Sequence, residues 1–125
     1  MRYGAGEAVN GVRGVALGDL EQVVLLALVR LGGEAHGVAM AEAIGEHTGR
    51  VVAPGALYTV LDRLESKGYV QSWIGESSPE RGGRRRKEYR LLPAGARELR
   101  EWYAGIRGLA AGLGGRLDRL AEGRG

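Results

Sequence analysis

The residues in this chain whose types and spacing could do chemistry lie between 54 and 92, in PGALYTVLDRLESKGYVQSWIGESSPERGGRRRKEYRLL. Two hydroxyls, Tyr58 and Thr59, follow two small residues, Gly55 and Ala56, and Arg63 comes one helical turn later. Further on, Arg81, Arg84, Arg85, Arg86, Lys87 and Arg90 stand against Glu88 alone, a local net charge of +5. The whole chain carries +3, so everything outside this stretch is net −2. Concentrated positive charge beside small and hydroxyl-bearing residues suits a phosphate backbone and the base edges of a duplex.

Other chemistries find little support. There is no Cys among the 125 residues, hence no thiol nucleophile, disulfide framework or thiolate metal ligand. The abundant Gly residues form no phosphate-cradling Gly-Lys-Ser/Thr loop, and no His–Ser–acid grouping is present. His36 and His47 are eleven residues apart, outside the i, i+3 or i+4 spacing that places ligands on one helix face. Neither an enzyme, a metal site nor a cofactor is expected. The longest uninterrupted apolar run, Val23–Val29, is too short to span a bilayer. The start, MRYGAGEAVNGVRG, lacks the apolar segment of a secretory signal, so a cytoplasmic protein without a membrane partner is expected.

The elements that must position the basic stretch can be read in order. Residues 1–16 are Gly-rich and aperiodic and read as a flexible leader, with Arg2 and Arg13 as a minor route to further DNA contact. Asp19 is the expected N-cap of a first helix that runs to about Leu31 and is apolar nearly all round. A second helix is expected from about Val38 to His47, closed by Gly49, with His36 near enough to reach its first turn. Residues 50–53 read as a one-rung strand. A third helix is expected from Pro54 to Lys67, because Leu57, Val60, Leu61 and Leu64 fall at i, i+3, i+4 and i+7. That periodicity turns Gly55, Ala56, Tyr58, Thr59, Asp62 and Arg63 outward, with Arg63 able to pair with Asp62 or Glu65. Gly68 ends the helix, and strands Tyr69–Gly75 and Lys87–Leu92 flank a turn holding Pro79, Gly82 and Gly83. Trp73, in the first of these strands, is expected to pack over the core.

After Pro93 a long amphipathic helix is expected. Leu99, Ile106, Leu113 and Leu120 recur every seven residues, with Trp102, Leu109 and Leu117 beside them, over about three heptads. Gly105, Gly108, Gly112, Gly114 and Gly115 each cost such a helix ~1 kcal/mol relative to Ala, so burial must support it. Gly114-Gly115 is the expected break. Two helices, the first and this one, therefore offer a subunit contact through Leu20, Val24, Leu99, Trp102, Tyr103, Ile106, Leu109 and Leu113.

The fold class that follows is mainly α with a small β-hairpin wing: leader 1–16, winged helix-turn-helix 17–92, and C-terminal dimerisation helix and tail 93–125. The pattern around Leu57, Tyr58, Leu61, Arg63, Leu64 and Glu65, joined to Lys87, Tyr89, Arg90 and Leu91, resembles the PadR family of winged-helix transcriptional regulators. The similarity runs from about Leu17 to Leu120. It implies a homodimeric repressor on double-stranded DNA, with ATGT/ACAT-like inverted repeats as operator, and a contact to DNA from Tyr58. The expected DNA-binding residues are Gly55, Ala56, Tyr58, Thr59, Arg63, Arg84, Arg85, Arg86 and Lys87. The resemblance further implies release by a small molecule, for which an apolar cavity between the first helix and Trp102–Tyr103 is the candidate place. Family members commonly carry Ser or Thr where this chain has Ala53, and Thr where it has Leu92, so two helix caps are weakened here. A winged-helix adapter that binds an acidic protein is the alternative.

Overall fold

The computed structural model describes residues 17–123 and the backbone of a small antiparallel hairpin, Ala8–Val9 (β1) with Val12–Arg13 (β2). The remainder of the leader, including Arg2, lies outside the described residues, as does the side chain of Arg13. Helix α1 spans Asp19–Arg30, and Gly18, not Asp19, is its N-cap. Gly18 has no side chain to cap with. Its own N–H donates to Glu21 Oε1 at 2.7 Å, so a carboxylate one turn inside the helix does the work. Glu21 is buried, and its two oxygens also accept from Lys67 Nζ at 2.9 Å, tying the start of α1 to the end of the third helix.

Strand β3 (Glu34–His36) leads directly into α2 (Gly37–Thr48), which ends at Gly49 with φ +72°. Residues 50–53 form no strand; the third strand of the sheet is β3 instead. Helix α3 (Pro54–Ser66) is followed by β4 (Val70–Ile74), a 3-10 turn at Pro79–Arg81, and β5 (Lys87–Leu91). The sheet order is β3-β5-β4, antiparallel throughout. Val70 opposes Leu91 and Ser72 opposes both Tyr89 and, across β5, Ala35, which turns these side chains toward the helices. The core gathers Val24, Leu25 and Leu28 of α1, Met40 and Ile44 of α2, and Leu57, Val60, Leu61 and Leu64 of α3, all buried. The alternation rule places Gln71 and Trp73 on the opposite face of the sheet with Arg90, Glu88 and Glu34. Trp73 is thus half-buried beneath the Arg90 guanidinium, 5.0 Å from its ring centre, and is no part of the core.

Helix α4 (Pro93–Ala110) docks through Gly95, where a Cβ would collide with the Tyr69 carbonyl, and through Leu99. The helix then breaks at Ala111–Leu113, with Gly112 at φ +77°, and α5 (Gly114–Ala121) resumes it. Gly114 and Gly115 open α5 instead of marking the break. The residue that can adopt positive φ sits two positions earlier.

Candidate nucleic-acid interface

Helix α3 exposes the surface that its periodicity predicts. Gly55, Ala56, Thr59, Asp62 and Arg63 are exposed, and its first turn stands clear of the core. Ala53 occupies the N-cap with extended backbone and no side-chain cap, and Pro54 follows at N1. Glu65 does not pair with Arg63. Its carboxylate accepts from the Ser72 backbone N–H at 3.1 Å and from Ser72 Oγ at 2.8 Å, fastening the end of α3 to β4. Arg63 therefore stays turned outward.

Tyr58 is 38% exposed, neither free in solvent nor enclosed. Its ring lies on Gly37, the first residue of α2. Tyr89, behind it in β5, is almost fully buried, and its phenol is pushed up to about 12 by that burial, with Tyr58, Asp62 and Glu65 adding to the shift. One face of α3 thus leans on the sheet while Thr59 and Arg63 look away from it.

At the start of α2, His36 is the N-cap: its Nδ1 accepts from the Ala39 N–H at 3.2 Å. That bond needs the neutral ring. Burial lowers the pKa of His36, and the nearby Arg86 lowers it further, so neutrality is favoured.

The wing sorts its cations into two groups. Arg81 is structural: its Nη2 donates to the Glu76 carbonyl at 2.8 Å and its Nε to the Arg84 carbonyl at 3.1 Å, bracing the turn. Gly82 and Gly83, at φ +67° and +83°, let the chain reverse there. Arg90 is also spent internally, stacked on Trp73 and paired with Glu34 at 3.2 Å. Arg86, half-buried at the wing base, has its Nε 3.9 Å from Glu88 Oε2, and that buried Nε has no hydrogen-bond partner among the described residues. Arg84 and Arg85 are exposed at the tip. Lys87 is exposed as well, with its ammonium 5.9 Å from the Tyr89 ring centre. Counting charges along the sequence could not separate bracing arginines from available ones, because the division depends on which carbonyls the turn brings into reach.

The expected subunit-contact residues also divide. Val24 and Leu99 are enclosed in the chain's own core, and Leu20 and Trp102 pack partly against it, so Val24 and Leu99 present nothing to a partner in this arrangement. Tyr103, Ile106, Leu109 and Leu113 are exposed, and Leu117 and Leu120 continue the same apolar stripe along α5. Leu26 and Val29 on α1 are exposed too. Between α1, α2 and Tyr103 opens an apolar cleft of about 470 Å3, bounded by Val23, Ala43, Ile44 and His47. Tyr103, but not Trp102, lines it. Among the described residues no group of three or more His, Cys, Asp or Glu could hold a metal ion, and no helix is long and apolar enough to cross a membrane.

Three helices, a three-stranded antiparallel sheet and a basic hairpin immediately after an exposed third helix define a winged helix-turn-helix. Residues 25–101 match the transcriptional regulator PadR-like family, and the chain belongs to that family. Among solved structures, a PadR family transcriptional regulator from Eggerthella lenta DSM 2243 is 33% identical, with 78% of this chain and 85% of that chain covered and a TM-score of 0.61. A PadR-like transcription factor from Bacteroides fragilis is 27% identical, with coverage of 72% and 82% and a TM-score of 0.62. The same fold, at 19% identity, is found in F93 from STIV, a winged-helix DNA-binding protein, with coverage of 73% and 90% and a TM-score of 0.60. No curated protein matches the chain. The protein is a DNA-binding transcriptional regulator and not an enzyme.

Proposed function

We propose that this regulator is a cytoplasmic repressor that binds an inverted-repeat operator as a homodimer. The observation that carries this reading is the pairing of two surfaces within one chain. Arg84, Arg85 and Lys87 are exposed on the hairpin that follows α3, while six apolar side chains from Tyr103 to Leu120 lie exposed along α4 and α5. A basic wing beside a recognition helix serves one half-site. An uncovered apolar stripe on a separate helix serves a second copy, and two-fold symmetry then sets two recognition helices about 34 Å apart, one turn of duplex.

In this assignment Gly55 and Ala56 let the backbone approach the groove wall. Thr59 reaches base edges or the thymine methyl, and Arg63, Arg84, Arg85, Arg86 and Lys87 hold phosphates. Arg86, already beside Glu88, contributes least of these. The apolar cleft beside Tyr103 is the proposed seat of a small apolar effector, because a ligand wedged between α1 and α4 would bear on the dimer contact and on the helix-turn-helix together.

The test is a titration of the protein on DNA upstream of its own gene, at two salt concentrations and against scrambled competitor. Binding that survives competitor with dimer stoichiometry is expected. Loss of all preference for the upstream DNA would favour an adapter that engages an acidic protein. Arg84→Ala with Arg85→Ala should weaken every duplex alike and flatten the salt dependence by at most about two log units per log unit of salt.

A further inference from the structure

Gly37 has an ordinary backbone conformation, so no left-handed turn explains a glycine there. Space does. A Cβ at this position would fall 2.5 Å from the Tyr58 hydroxyl oxygen and 2.7 Å from its Cζ. The bare α-carbon of Gly37, at the first position of α2, is the floor on which the outer end of the Tyr58 ring rests. We infer that Gly37 is a positioning residue for Tyr58, and that together they make Tyr58 a phosphate anchor and not a reader of bases. This rests on the assignment of this face to DNA under Proposed function.

Three observations support the inference. Tyr58 belongs to α3, yet its hydroxyl end is held over the N-terminus of α2, which in a helix-turn-helix approaches the duplex backbone along the groove wall. His36 takes up the Ala39 N–H, leaving the other donors of that first turn outside the helix's own ladder. The Arg86 guanidinium faces His36 together with Glu42 and Glu88, the latter 3.9 Å from the Arg86 Nε, so the charge at this helix start is mixed and a phosphate contact there falls to the neutral donors. A hydroxyl and helix N–H groups gathered at one helix start suit a phosphate oxygen. A base edge in the groove would instead be reached from further round the exposed face of α3, where Ala56 and Thr59 lie.

The collision expected in Gly37→Ala involves the far end of a side chain that is already 38% exposed. The ring can swing aside without unfolding anything, so the substitution should disturb DNA binding more than stability. Wild type, Tyr58→Phe, Tyr58→Ala, Gly37→Ala and the Gly37→Ala/Tyr58→Ala pair would be titrated on operator and scrambled duplexes at two salt concentrations, with thermal melts alongside. Tyr58→Phe should weaken both duplexes by the same factor, roughly tenfold. The salt slope should stay unchanged, because a neutral donor releases no counterion. Gly37→Ala should reproduce that loss with a nearly unaltered melt, and should add nothing once Tyr58 is Ala. A loss in Tyr58→Phe confined to the operator would overturn the phosphate assignment. A loss in Gly37→Ala that persists undiminished beside Tyr58→Ala would overturn the positioning role. If wild type shows no operator preference, the regulator reading fails, but equal losses on scrambled DNA and the Gly37–Tyr58 coupling would still uphold the anchor. Absence of all DNA binding would sink both.

Discussion

Helices α1–α3 and their sheet differ from α4–α5 in where they keep large apolar side chains. In the first group Leu25, Leu28, Met40, Leu57, Leu61, Leu64 and Tyr89 are all but inaccessible, and the elements are laced by Glu21 to Lys67 and Glu65 to Ser72. In the second, only Leu99 is buried among the large apolar residues, with Trp102 partly covered, while Leu109 and Leu117 are 79% and 60% exposed. A surface helix normally hides such a stripe, and apolar area left in water costs on the order of 25 cal/mol per Å2. The first group buries its own large apolar side chains, with Leu99 of α4 added to that core. The second leaves its apolar stripe uncovered in a single copy.

The largest expected effect comes from breaking that second surface. Leu109→Glu with Leu117→Glu places charges in the middle of the proposed contact while touching none of the core. Sedimentation should then report a monomer where wild type is a dimer. Operator affinity should fall about 10²- to 10⁴-fold, since two half-sites would no longer be gripped together. An unchanged dimer with unchanged affinity would mean that the stripe serves something else.

Next in size is the seam between the two groups. Gly95 is buried at the first turn of α4, against the Tyr69 carbonyl and Leu91 Cδ1. Here, in contrast to Gly37, the obstacle is backbone and cannot swing away. Gly95→Ala should cost about 1–3 kcal/mol in thermal or urea unfolding by forcing α4 off its seat. A melt indistinguishable from wild type would show that α4 is far less firmly docked than its close approach implies.

What the sequence disclosed follows the same division. The α3 stripe, the two wing strands and the missing caps at Ala53 and Leu92 were legible because each is a local pattern: period, turn residues, side-chain chemistry. Strand β3 was not, since Glu34-Ala35-His36 has no strand propensity and exists because β5 offers it an edge, with Leu91 N–H donating to the Gly33 carbonyl at 2.9 Å. The Gly32-Gly33 pair just before it, both at positive φ, was the available signal for a reversal into a strand. Trp73 was misread because register, not residue type, decides which sheet face it occupies. Likewise Arg81 and Arg90 look like wing cations in one dimension and prove to be braces in three. The heptad spacing could not tell that Leu99 would be consumed by the chain's own core, nor the apolar run of the first helix that Val24 would be.

A smaller effect tests the lacing of the first group. His36 caps α2 as a neutral acceptor and its pKa is lowered by burial and then by Arg86. Below its ordinary value near 6.5 the unfolded chain binds a proton that the folded chain resists. Stability from this group is therefore complete above that pH and is lost as pH falls through the lowered value. The melting midpoint should drop between pH 7.5 and 5.5. His36→Asn, which can still cap but does not titrate, should remove part of that drop. An identical pH profile in the variant would place the sensitivity in another group.

The smallest expected effect concerns the start of α3, where the well-packed group leaves a local requirement unmet. Ala53 already has the extended backbone of an N-cap, φ −65° and ψ 140°, but no oxygen with which to accept an N–H of the first turn. Ala53→Ser supplies it without adding charge, and should raise unfolding stability by ~1 kcal/mol. Affinity for DNA decides what the missing cap means. If the operator is bound as before, the cap is simply absent. A weaker complex from a more stable protein would show that the uncapped N–H groups of α3 are kept for a phosphate, and that the helix start gives up stability in order to bind.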